Sequence, residues 1–298
     1  MISTINDLYK LVEKQTVKKK LALAAADDHH ALDAVYNAQK KGIIEAILVG
    51  DAKNIAAIAE KYGYDLTGFQ IIDIVDKNKA VEEAVKLVSL NKADILMKGN
   101  ISTSGLLKGV LNKEWGLRSG NLLSHIAIFE VAKYHKLIAL TDVAMNIAPD
   151  LSAKISIINN SVEYLNKIGI TNPKVALIAA VETVSTDMPA TVDAAVISKM
   201  NQRGQIKNCI IDGPFAIDNA VNKESAIHKG IVSDVAGDAD LLVFPDIEAG
   251  NVGYKVLSFL TDSKLAALVL GAKAPIVLTS RSDSEEAKLN SIVLAAVC

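Results

Sequence analysis

The chain has 298 residues, 50% of them hydrophobic and only 4% aromatic, so it can form a large core of small aliphatic side chains. This length exceeds the usual size of one domain, and we expect two domains of the α/β class. The net charge of -2 comes from 32 basic and 34 acidic residues mixed along the chain, which argues against nucleic acid as a partner but leaves room for a small anionic ligand.

Short aliphatic runs alternate with amphipathic segments in the first half of the chain. The amphipathic segments have apolar residues three and four positions apart, which predicts helices, and Gly42 and Gly63 stand where two of these helices should end. The aliphatic runs are typical of strands. They are LALAAA at 21, AILVG at 46, FQIIDIV at 69, DILMKG at 94 and KLIALTD at 136.

The same alternation resumes after about residue 145. The later aliphatic runs are KVALIAAV, NCIIDG, DLLVFPD, LAALVLG and PIVLTS. Repeated alternation of strand and helix predicts mainly parallel sheets with helices on both faces. The segment SEEAKLNSIVLAAV is typical of one helix, and we expect a change of domain near Pro149.

Cysteine content and the length of the apolar runs bear on the compartment. Cys209 and Cys298 are too few and too far apart for a disulfide framework or a four-ligand zinc site, which favours a reducing compartment. The first twenty residues lack the apolar stretch of a signal peptide, and each longer apolar run is soon interrupted. We therefore expect a cytoplasmic protein that does not contact a membrane.

Polar residues follow many of the aliphatic runs. In open α/β sheets, ligands bind beyond the carboxyl ends of the strands, near helix N-termini and loop amides. Residues that only end strands and cap helices would produce the same pattern, so each position also has a structural interpretation. The residues at these positions are Lys98, Gly99, Thr141, Asp142, Glu182, Asp212, Gly213, Asp246, Ser280 and Arg281.

The segment PDIEAGNVGYK, residues 245–255, combines two glycines with an amide and a cation. Gly250 and Gly253 would let backbone approach an anion at a helix start. Asn251 can cap that helix or bind the ligand, and Lys255 adds positive charge. The segment lacks the Gly-Lys-Ser/Thr of a nucleotide-binding loop, so it predicts an anion site of another kind.

The segment TSRSDSEEAK, residues 279–288, places hydroxyls, a guanidinium and carboxylates at a strand-to-helix turn. Arg281 can pair with a phosphate, and Asp283 or Glu286 can accept a proton. Alternatively, Ser282 or Asp283 caps the next helix and the glutamates stabilise its first turn. The two interpretations are compatible.

A third segment gathers basic and hydroxyl side chains: Lys98, Thr103, Lys108, Arg118, Ser124 and His125. Taken alone, this segment is equally typical of a helix with a solvated basic face, and His125 of a buried histidine that makes hydrogen bonds. His29 and His30 adjoin two aspartates, but they stand at an expected helix start without further ligands nearby. We therefore predict no metal site.

Seven blocks, in this order, carry the most specific pattern of the chain: KGNISTSGLLKGVL, LRSGNLLSH, LTDVAMNIAPD, AAVETVSTDMPATVDA, DGPFAIDNAV, PDIEAGNVGYK and GAKAPIVLTSRSDS. Together they resemble the phosphate acetyltransferase and phosphate butyryltransferase family over nearly the whole chain. The butyryl branch is favoured at two places. Acetyltransferases typically have Ser-Phe-Ser-Thr-Lys-Gly-Ser where this chain has AAVETVSTDMPA, and Ser-Arg-Gly-Cys where it has SRSD.

The resemblance implies two α/β/α domains with mainly parallel sheets and an interdomain cleft, of the isocitrate-dehydrogenase-like type. We expect residues 1–144 plus 279–298 in the first domain and residues 145–278 in the second. The family is usually homodimeric or larger and requires no metal or nucleotide cofactor. Its substrates are acyl-coenzyme A, phosphate and acyl phosphate.

The resemblance also implies site residues. Ser280 and Arg281 match the catalytic pair of the family, whereas the catalytic Asp of the acetyl branch corresponds either to Asp283 or, with one deletion, to Glu286. Lys108 replaces an arginine, which keeps the charge but loses the bidentate fork. The expected substrate-binding residues are Lys98, Thr103, Lys108, Arg118, Ser124, His125, Asp142, Gly250, Asn251 and Lys255.

The expected chemistry starts from the thiol of coenzyme A, whose pKa is close to the value of about 8.5 for free cysteine. Asp283 or Glu286 would take its proton, and the thiolate would attack the carbonyl carbon of the acyl phosphate. Ser280 and backbone amides would stabilise the oxyanion while Arg281 neutralises the departing phosphate. No acyl-enzyme is needed, so neither cysteine is expected to react.

Three rival functions remain at this point. A phosphate acetyltransferase or a broad short-acyl enzyme differs only in pocket width, since one methylene discriminates by about 1 to 3 kcal/mol. A metal-dependent decarboxylating dehydrogenase would need a cluster of metal-binding aspartates, which the sequence lacks. A non-catalytic acyl-coenzyme A-binding protein would leave SRSDS unexplained.

Overall fold

A computed structural model describes residues 2–279 and 283–298. The strands are β1 (Lys19–Ala24), β2 (Ile44–Gly50), β3 (Gln70–Asp73), β4 (Ile95–Lys98), β5 (Ser124–Glu130), β6 (Ile138–Thr141), β7 (Lys174–Ile178), β8 (Ile210–Phe215), β9 (Leu241–Val243), β10 (Lys264–Leu270) and β11 (Ile276–Val277). The helices are α1 (Ile5–Glu13), α2 (His29–Lys40), α3 (Ala52–Tyr62), α4 (Lys77–Ser89), α5 (Thr103–Val110), α6 (Leu151–Lys167), α7 (Pro189–Gln202), α8 (Ile217–Val221), α9 (Lys223–His228), α10 (Ile247–Leu260) and α11 (Glu285–Ala296).

The described residues form two compact units, each made of two separate stretches of chain. The flanking unit comprises residues 8–121 and 266–298, and the central unit comprises residues 1–7 and 122–265. The domains expected from the sequence have the same discontinuous order but change after residues 144 and 278. That division into domains stays a prediction.

The flanking unit is built on a mainly parallel sheet with the strand order β3-β2-β1-β4-β11-β10. Its strands pair in parallel except for β10, which runs antiparallel to β11. Leu21, Leu23 and Leu48 on these strands are fully buried. The helix expected at SEEAKLNSIVLAAV is α11, and it packs against α2 with every residue from Ala287 to Ala296 buried.

The central unit is built on a second mainly parallel arrangement, with the strand order β5-β6-β9-β7-β8. Only the β5–β6 pair of these described strands is antiparallel. Ile126, Phe129 and Ile158 are fully buried in its core. Both units therefore place strand ends and helix starts along the carboxyl edges of parallel strands, where ligands bind in this class of fold.

An ion-pair cluster lies at the opposite ends of the strands in the central unit, around Asp238 just before β9. The Asp238 carboxylate contacts Lys174 Nζ at 2.5 Å, His135 Nε2 at 2.8 Å and Lys136 Nζ at 3.0 Å. Lys136 Nζ also lies 2.7 Å from Asp240. Because these residues precede β6, begin β7 and precede β9, the cluster connects the starts of three neighbouring strands.

Short polar side chains begin most of the helices by accepting a hydrogen bond from a backbone N–H in the first turn. The capping residues are Asp28, Asp51, Asp76, Ser102, Asp150, Asn222, Asp246 and Ser284. Two caps differ from the sequence-based interpretation. Asp246, not Asn251, caps α10, because the helix begins four residues before the asparagine. Ser284, not Asp283, caps α11, and Ser282 lies outside the described residues.

The α/β class and the mainly parallel sheets are confirmed, and each of the predicted aliphatic runs overlaps a strand. Among the strands of the described residues, β5 was not predicted, because it starts with the polar residues Ser124 and His125. Within the described part of the chain, no helix has both the length and the apolar composition needed to cross a membrane.

Candidate active site

The predicted site residues are divided between the two units. The flanking unit contains Lys98, Thr103, Lys108, Arg118, Asp283 and Glu286, and the central unit contains Ser124, His125, Asp142, Gly250, Asn251 and Lys255. Ser280 and Arg281, the predicted catalytic pair, lie outside the described residues.

Lys98 and Gly99 lie at the carboxyl end of β4. The Lys98 ammonium donates hydrogen bonds to the carbonyl oxygens of Gly99 at 3.3 Å and Ile101 at 3.1 Å, so it contacts the turn that leads into α5. A Cβ atom on Gly99 would lie 2.2 Å from the carbonyl oxygen of Ala25, at the end of β1. A glycine is therefore required for the close approach of the two chain segments.

The remaining cations of this segment face solvent. Lys108 lies in the last turn of α5 and is exposed, as is Thr103 at the first position of that helix. Arg118 is exposed too, and its backbone pairs with Ala272 in an isolated antiparallel bridge. These side chains are accessible to an anionic ligand at the flanking unit.

The start of α11 holds both candidate bases. The Asp283 carbonyl oxygen accepts a hydrogen bond from the ammonium of Lys288, which is only 4% exposed. Glu286 is exposed in the first turn of the helix. Burial, followed by the negative charge of Glu286, raises the pKa of Tyr9. Asp283 therefore lies just before α11 and Glu286 in its first turn, three residues apart in the chain.

His29 has a structural environment at the start of α2. Its ring stacks on Tyr62 with the ring centroids 3.6 Å apart, and its Nε2 atom lies 3.1 Å from the hydroxyl of Tyr64. The same hydroxyl donates a hydrogen bond to Asp33 at 2.8 Å. Burial and this hydrogen bond raise the pKa of Tyr64. These contacts fix the histidine among aromatic side chains.

Asp142 organises the turn that follows β6. It is 3% exposed, and its Oδ1 atom accepts hydrogen bonds from the backbone N–H groups of Ala144 at 3.0 Å and Met145 at 3.1 Å. Its Oδ2 atom accepts another from the side-chain amide of Asn146 at 2.5 Å. Because this carboxylate is buried and hydrogen-bonded within its own turn, it has a clear structural role.

Ser124 and His125 are buried at the start of β5. The Ser124 hydroxyl lies 3.0 Å from the amide nitrogen of Asn160, which donates to it. His125 is 5% exposed, and its ring meets Tyr254 edge-on with 6.1 Å between centroids. The His125 carbonyl oxygen accepts a hydrogen bond from the Thr141 hydroxyl at 2.8 Å.

The glycines of segment 245–255 allow α10 to pack closely on the central unit. A Cβ atom on Gly250 would lie 2.5 Å from the carbonyl oxygen of Asp142. Next to it, the side-chain amide of Asn251 donates to the carbonyl oxygen of Val143 at 3.1 Å. The structure therefore brings Asp142, Gly250 and Asn251 together through contacts between protein segments.

Lys255, one turn further along α10, lies beside aromatic rings. Its ammonium is 5.4 Å from the ring centroid of Tyr254 and 5.2 Å from that of Phe259. This arrangement stabilises the cation on the helix surface.

A pocket of about 1050 Å³ lies within the central unit. It opens at the carboxyl ends of β7, β8 and β9 and at the N-termini of α7 and α10, the position expected for a ligand in this class of fold. Of the predicted substrate-binding residues of the central unit, none lines it, although Gly253 and Asp246 from the same segment do. Much of its wall consists of apolar side chains, including Ile178, Met188, Ile217, Phe244, Val252 and Val256.

Glu182 belongs to a polar cluster and follows, two residues on, Ala180 of the pocket lining. Its carboxylate accepts hydrogen bonds from the ammonium of Lys229 and the amide of Asn219. The hydrogen bond from Lys229 lowers the pKa of Glu182, although burial opposes the change. Glu182, one of the polar residues that follow an aliphatic run in the sequence, thus makes contacts within the protein, and its role in binding a ligand stays a prediction. Among the residues that the structure describes, no three potential ligands gather in a metal-binding arrangement.

Comparison with known proteins defines the class. The model of the phosphate acetyl/butaryl transferase family matches residues 3–86 and 76–296. The chain is 51% identical to the phosphate butyryltransferase of Clostridium acetobutylicum over 100% of its own length and 98% of that protein. It is 46% identical to the phosphate acetyltransferase of Thermotoga maritima over 97% of its length and 99% of that protein.

A solved structure is similar at the level of the fold and the sequence. The branched-chain phosphotransacylase of Enterococcus faecalis V583 superposes with a TM-score of 0.83 and 33% identity, covering 94% of this chain and 98% of that protein. The chain belongs to the phosphate acetyl/butyryl transferase family, as its motifs predicted. It is an acyltransferase of that family.

Proposed function

We propose that this acyltransferase moves a butyryl group reversibly between coenzyme A and inorganic phosphate. The observation that carries the proposal is the identity of 51% over the whole chain to a protein named phosphate butyryltransferase. The SRSD and AAVETVSTDMPA segments favour the same branch. The identity of 46% to a phosphate acetyltransferase keeps acetyl transfer as the second candidate.

The proposed mechanism is direct attack of the coenzyme A thiolate on the acyl phosphate. Asp283 or Glu286 takes the thiol proton, and the new thioester bond forms as the bond from the carbonyl carbon to phosphate breaks. Ser280 donates to the carbonyl oxygen as negative charge develops there, and Arg281 binds the departing phosphate in a bidentate way. The exposed cations Lys108 and Arg118 supply further positive charge for the anionic substrates.

Three further features belong to this proposal. We expect activity without a metal or nucleotide cofactor, a homodimer or larger homo-oligomer, and a cytoplasmic location. Light scattering of the purified protein measures the oligomeric state, and a chelator in the assay tests the metal.

The test of function follows the release of coenzyme A thiol from butyryl-coenzyme A and acetyl-coenzyme A, with and without phosphate. We expect phosphate-dependent release that is unaffected by the chelator, with a higher kcat/KM for the butyryl substrate. Equal or better kcat/KM with acetyl-coenzyme A would reverse the order of the two candidates. Binding of acyl-coenzyme A without phosphate-dependent release would favour a non-catalytic protein.

The test of the site compares four substitutions with a neighbouring control. Ser280→Ala should lower kcat by roughly 10² to 10³, since it removes a donor to the oxyanion. Arg281→Lys should raise the KM for phosphate as well as lower kcat. One of Asp283→Asn and Glu286→Gln should lose most activity near neutral pH. Glu285→Gln, in the same helical turn, is the control and should remain active.

A further inference from the structure

The pocket of the central unit combines an apolar wall with a small ionic set. Its ionic side chains are Lys154, Asp187, Asp193 and Asp246. The three carboxylates and the one ammonium have a combined formal charge of -2. Such a site repels phosphate and diphosphate groups, so it suits a molecule that is neutral where it contacts the wall.

Lys154 and Asp193 form a partly buried ion pair at this pocket. Lys154 Nζ lies 2.6 Å from Asp193 Oδ2, and the two side chains are 11% and 27% exposed. An ammonium has three donor hydrogens and a carboxylate about four acceptor positions. In the part of the chain that the structure describes, their mutual bond is the one hydrogen bond that either charged group makes. Donors and acceptors thus remain side by side for a molecule in the pocket.

A molecule with two secondary amides fits this pair, because the carbonyl group of one amide and the N–H of the other can face the same side, whereas a single planar trans amide points these groups in opposite directions. The carbonyl oxygen accepts from an ammonium, and the N–H donates to a carboxylate. The pantetheine arm of coenzyme A is uncharged, contains two secondary amides and is otherwise largely apolar. Phosphate and butyryl phosphate are anionic and contain no amide.

We propose that Lys154 and Asp193 bind the two amides of the pantetheine arm of acyl-coenzyme A, Lys154 donating to the carbonyl oxygen of one and Asp193 accepting from the N–H of the other, with the apolar parts of the arm against Ile178, Phe244 and Val252. The pair then determines specificity for the thiol carrier and not for the phosphate cosubstrate. The choice of acyl-coenzyme A as the ligand rests on the proposed function. The rival occupant is a second copy of this chain, because Val252 and Val256 at the pocket are 63% and 45% exposed.

The kinetic test uses three thioesters that differ in one feature at a time. Butyryl-coenzyme A has amides and phosphates, S-butyryl-pantetheine has only the amides, and S-butyryl-mercaptoethanol has neither. The double variant Lys154→Met/Asp193→Leu removes the pair without leaving one buried charge behind. Lys167→Met/Glu163→Leu, an exposed pair at 2.7 Å on α6, is the matched control.

The pair variant should lower kcat/KM for both amide-containing thioesters by a similar factor of about tenfold or more, as hydrogen bonds to charged groups typically contribute. The KM for phosphate and kcat/KM for the amide-free thioester should change by less than about twofold. An equal loss with all three thioesters, or no loss with butyryl-coenzyme A, would overturn the proposal.

A second variant covers the case in which the double variant does not fold. Val252→Trp fills the pocket from a largely exposed position, and Ile227→Trp, 67% exposed on α9 and away from the pocket, is its control. Calorimetry with pantetheine should give binding to wild type and to Ile227→Trp but not to Val252→Trp. Because this measurement needs no turnover, wild type that binds pantetheine without catalysis would reject only the proposed function. Loss of oligomer without loss of pantetheine binding in Val252→Trp would instead assign the pocket to a second copy.

Discussion

Replacing Gly250 by alanine distinguishes a structural role of this glycine from an anion-binding role. In an ordinary helix interior, the change stabilises a protein by about 1 kcal/mol. In α10, the new Cβ atom would lie 2.5 Å from the carbonyl oxygen of Asp142 and 3.1 Å from the Cα atom of Val143. Both are backbone atoms of the turn that the Asp142 carboxylate holds through hydrogen bonds. Neither can rotate away, so the helix or the turn must move.

The expected size of the effect follows from these contacts. Overpacking costs typically about 1 to 3 kcal/mol, and a contact with fixed backbone atoms places Gly250→Ala at the upper end. After the helix-forming gain of about 1 kcal/mol, a net loss of about 2 kcal/mol remains. Because the unfolding entropy is about 2.1 cal/mol/K per residue, such a loss lowers the Tm of a protein of this length by about 3 °C.

Thermal unfolding followed by circular dichroism measures this change, with kcat/KM for butyryl-coenzyme A determined well below Tm. Gly253→Ala is the control on the same helix, because its Cβ atom would lie 3.0 Å from the ring of Phe244, a side chain that can turn. We expect Gly250→Ala to lose more stability than Gly253→Ala while its folded fraction stays active. An unchanged Tm combined with lost activity would refute this reasoning and assign Gly250 to a bound anion.

Three other predictions concern single side chains. Asp142→Ala should lower the free energy of unfolding in urea by about 3 kcal/mol, because it removes the buried acceptor of three hydrogen bonds; a loss below about 1 kcal/mol would contradict this. Burial opposes ionisation of Asp238, but its pKa lies well below the usual range because of hydrogen bonds from Lys174, Lys136 and His135. The stabilisation by ionised Asp238 is therefore complete above the ordinary carboxyl pKa of about 4 and is lost as the pH falls. Asp238→Asn should flatten the acid side of a plot of the free energy of unfolding against pH. An unchanged plot would show that the ion-pair cluster around Asp238 does not stabilise the fold. Burial raises the pKa of Cys209 to about 11, so its thiol should resist alkylation by iodoacetamide at neutral pH. Changing both Cys209 and Cys298 to serine should preserve most activity. Trapping an acyl-cysteine would reject direct transfer of the acyl group between coenzyme A and phosphate.

The strands could be predicted from sequence because buried parallel strands are nearly continuous aliphatic runs. LALAAA overlaps β1 and DILMKG contains β4, and these two strands pair in parallel at the centre of the flanking unit. β5 was missed because it begins with Ser124 and His125, polar residues that are buried through contacts with Asn160 and Tyr254. These partners are distant in sequence, so no local pattern identifies them.

The candidate site was harder to predict than the fold. A carboxylate after a strand looks the same in sequence whether it binds substrate or holds its own turn, and Asp142 makes turn contacts in the structure. The sequence indicated only one edge of the pocket, through Asp246 and Gly253 of segment 245–255, since the rest of its lining comes from segments scattered between residues 148 and 256. The Lys154–Asp193 ion pair at the pocket joins residues on two different helices, so no local pattern identifies it.

Gly99, Gly250 and Gly253 differ in whether the glycine is needed for packing of the backbone or for the shape of the pocket. At Gly99 and Gly250 the space of a Cβ atom is taken by backbone oxygens of another segment, 2.2 Å and 2.5 Å away. At Gly99 and Gly250 two backbone segments approach closely beside the carboxyl ends of the strands. This close approach requires glycine whether or not a ligand binds. Gly253 differs, because its neighbour is the Phe244 side chain and both residues line the pocket. Among these three glycines, Gly253 is therefore the position at which an added side chain would push the pocket wall itself.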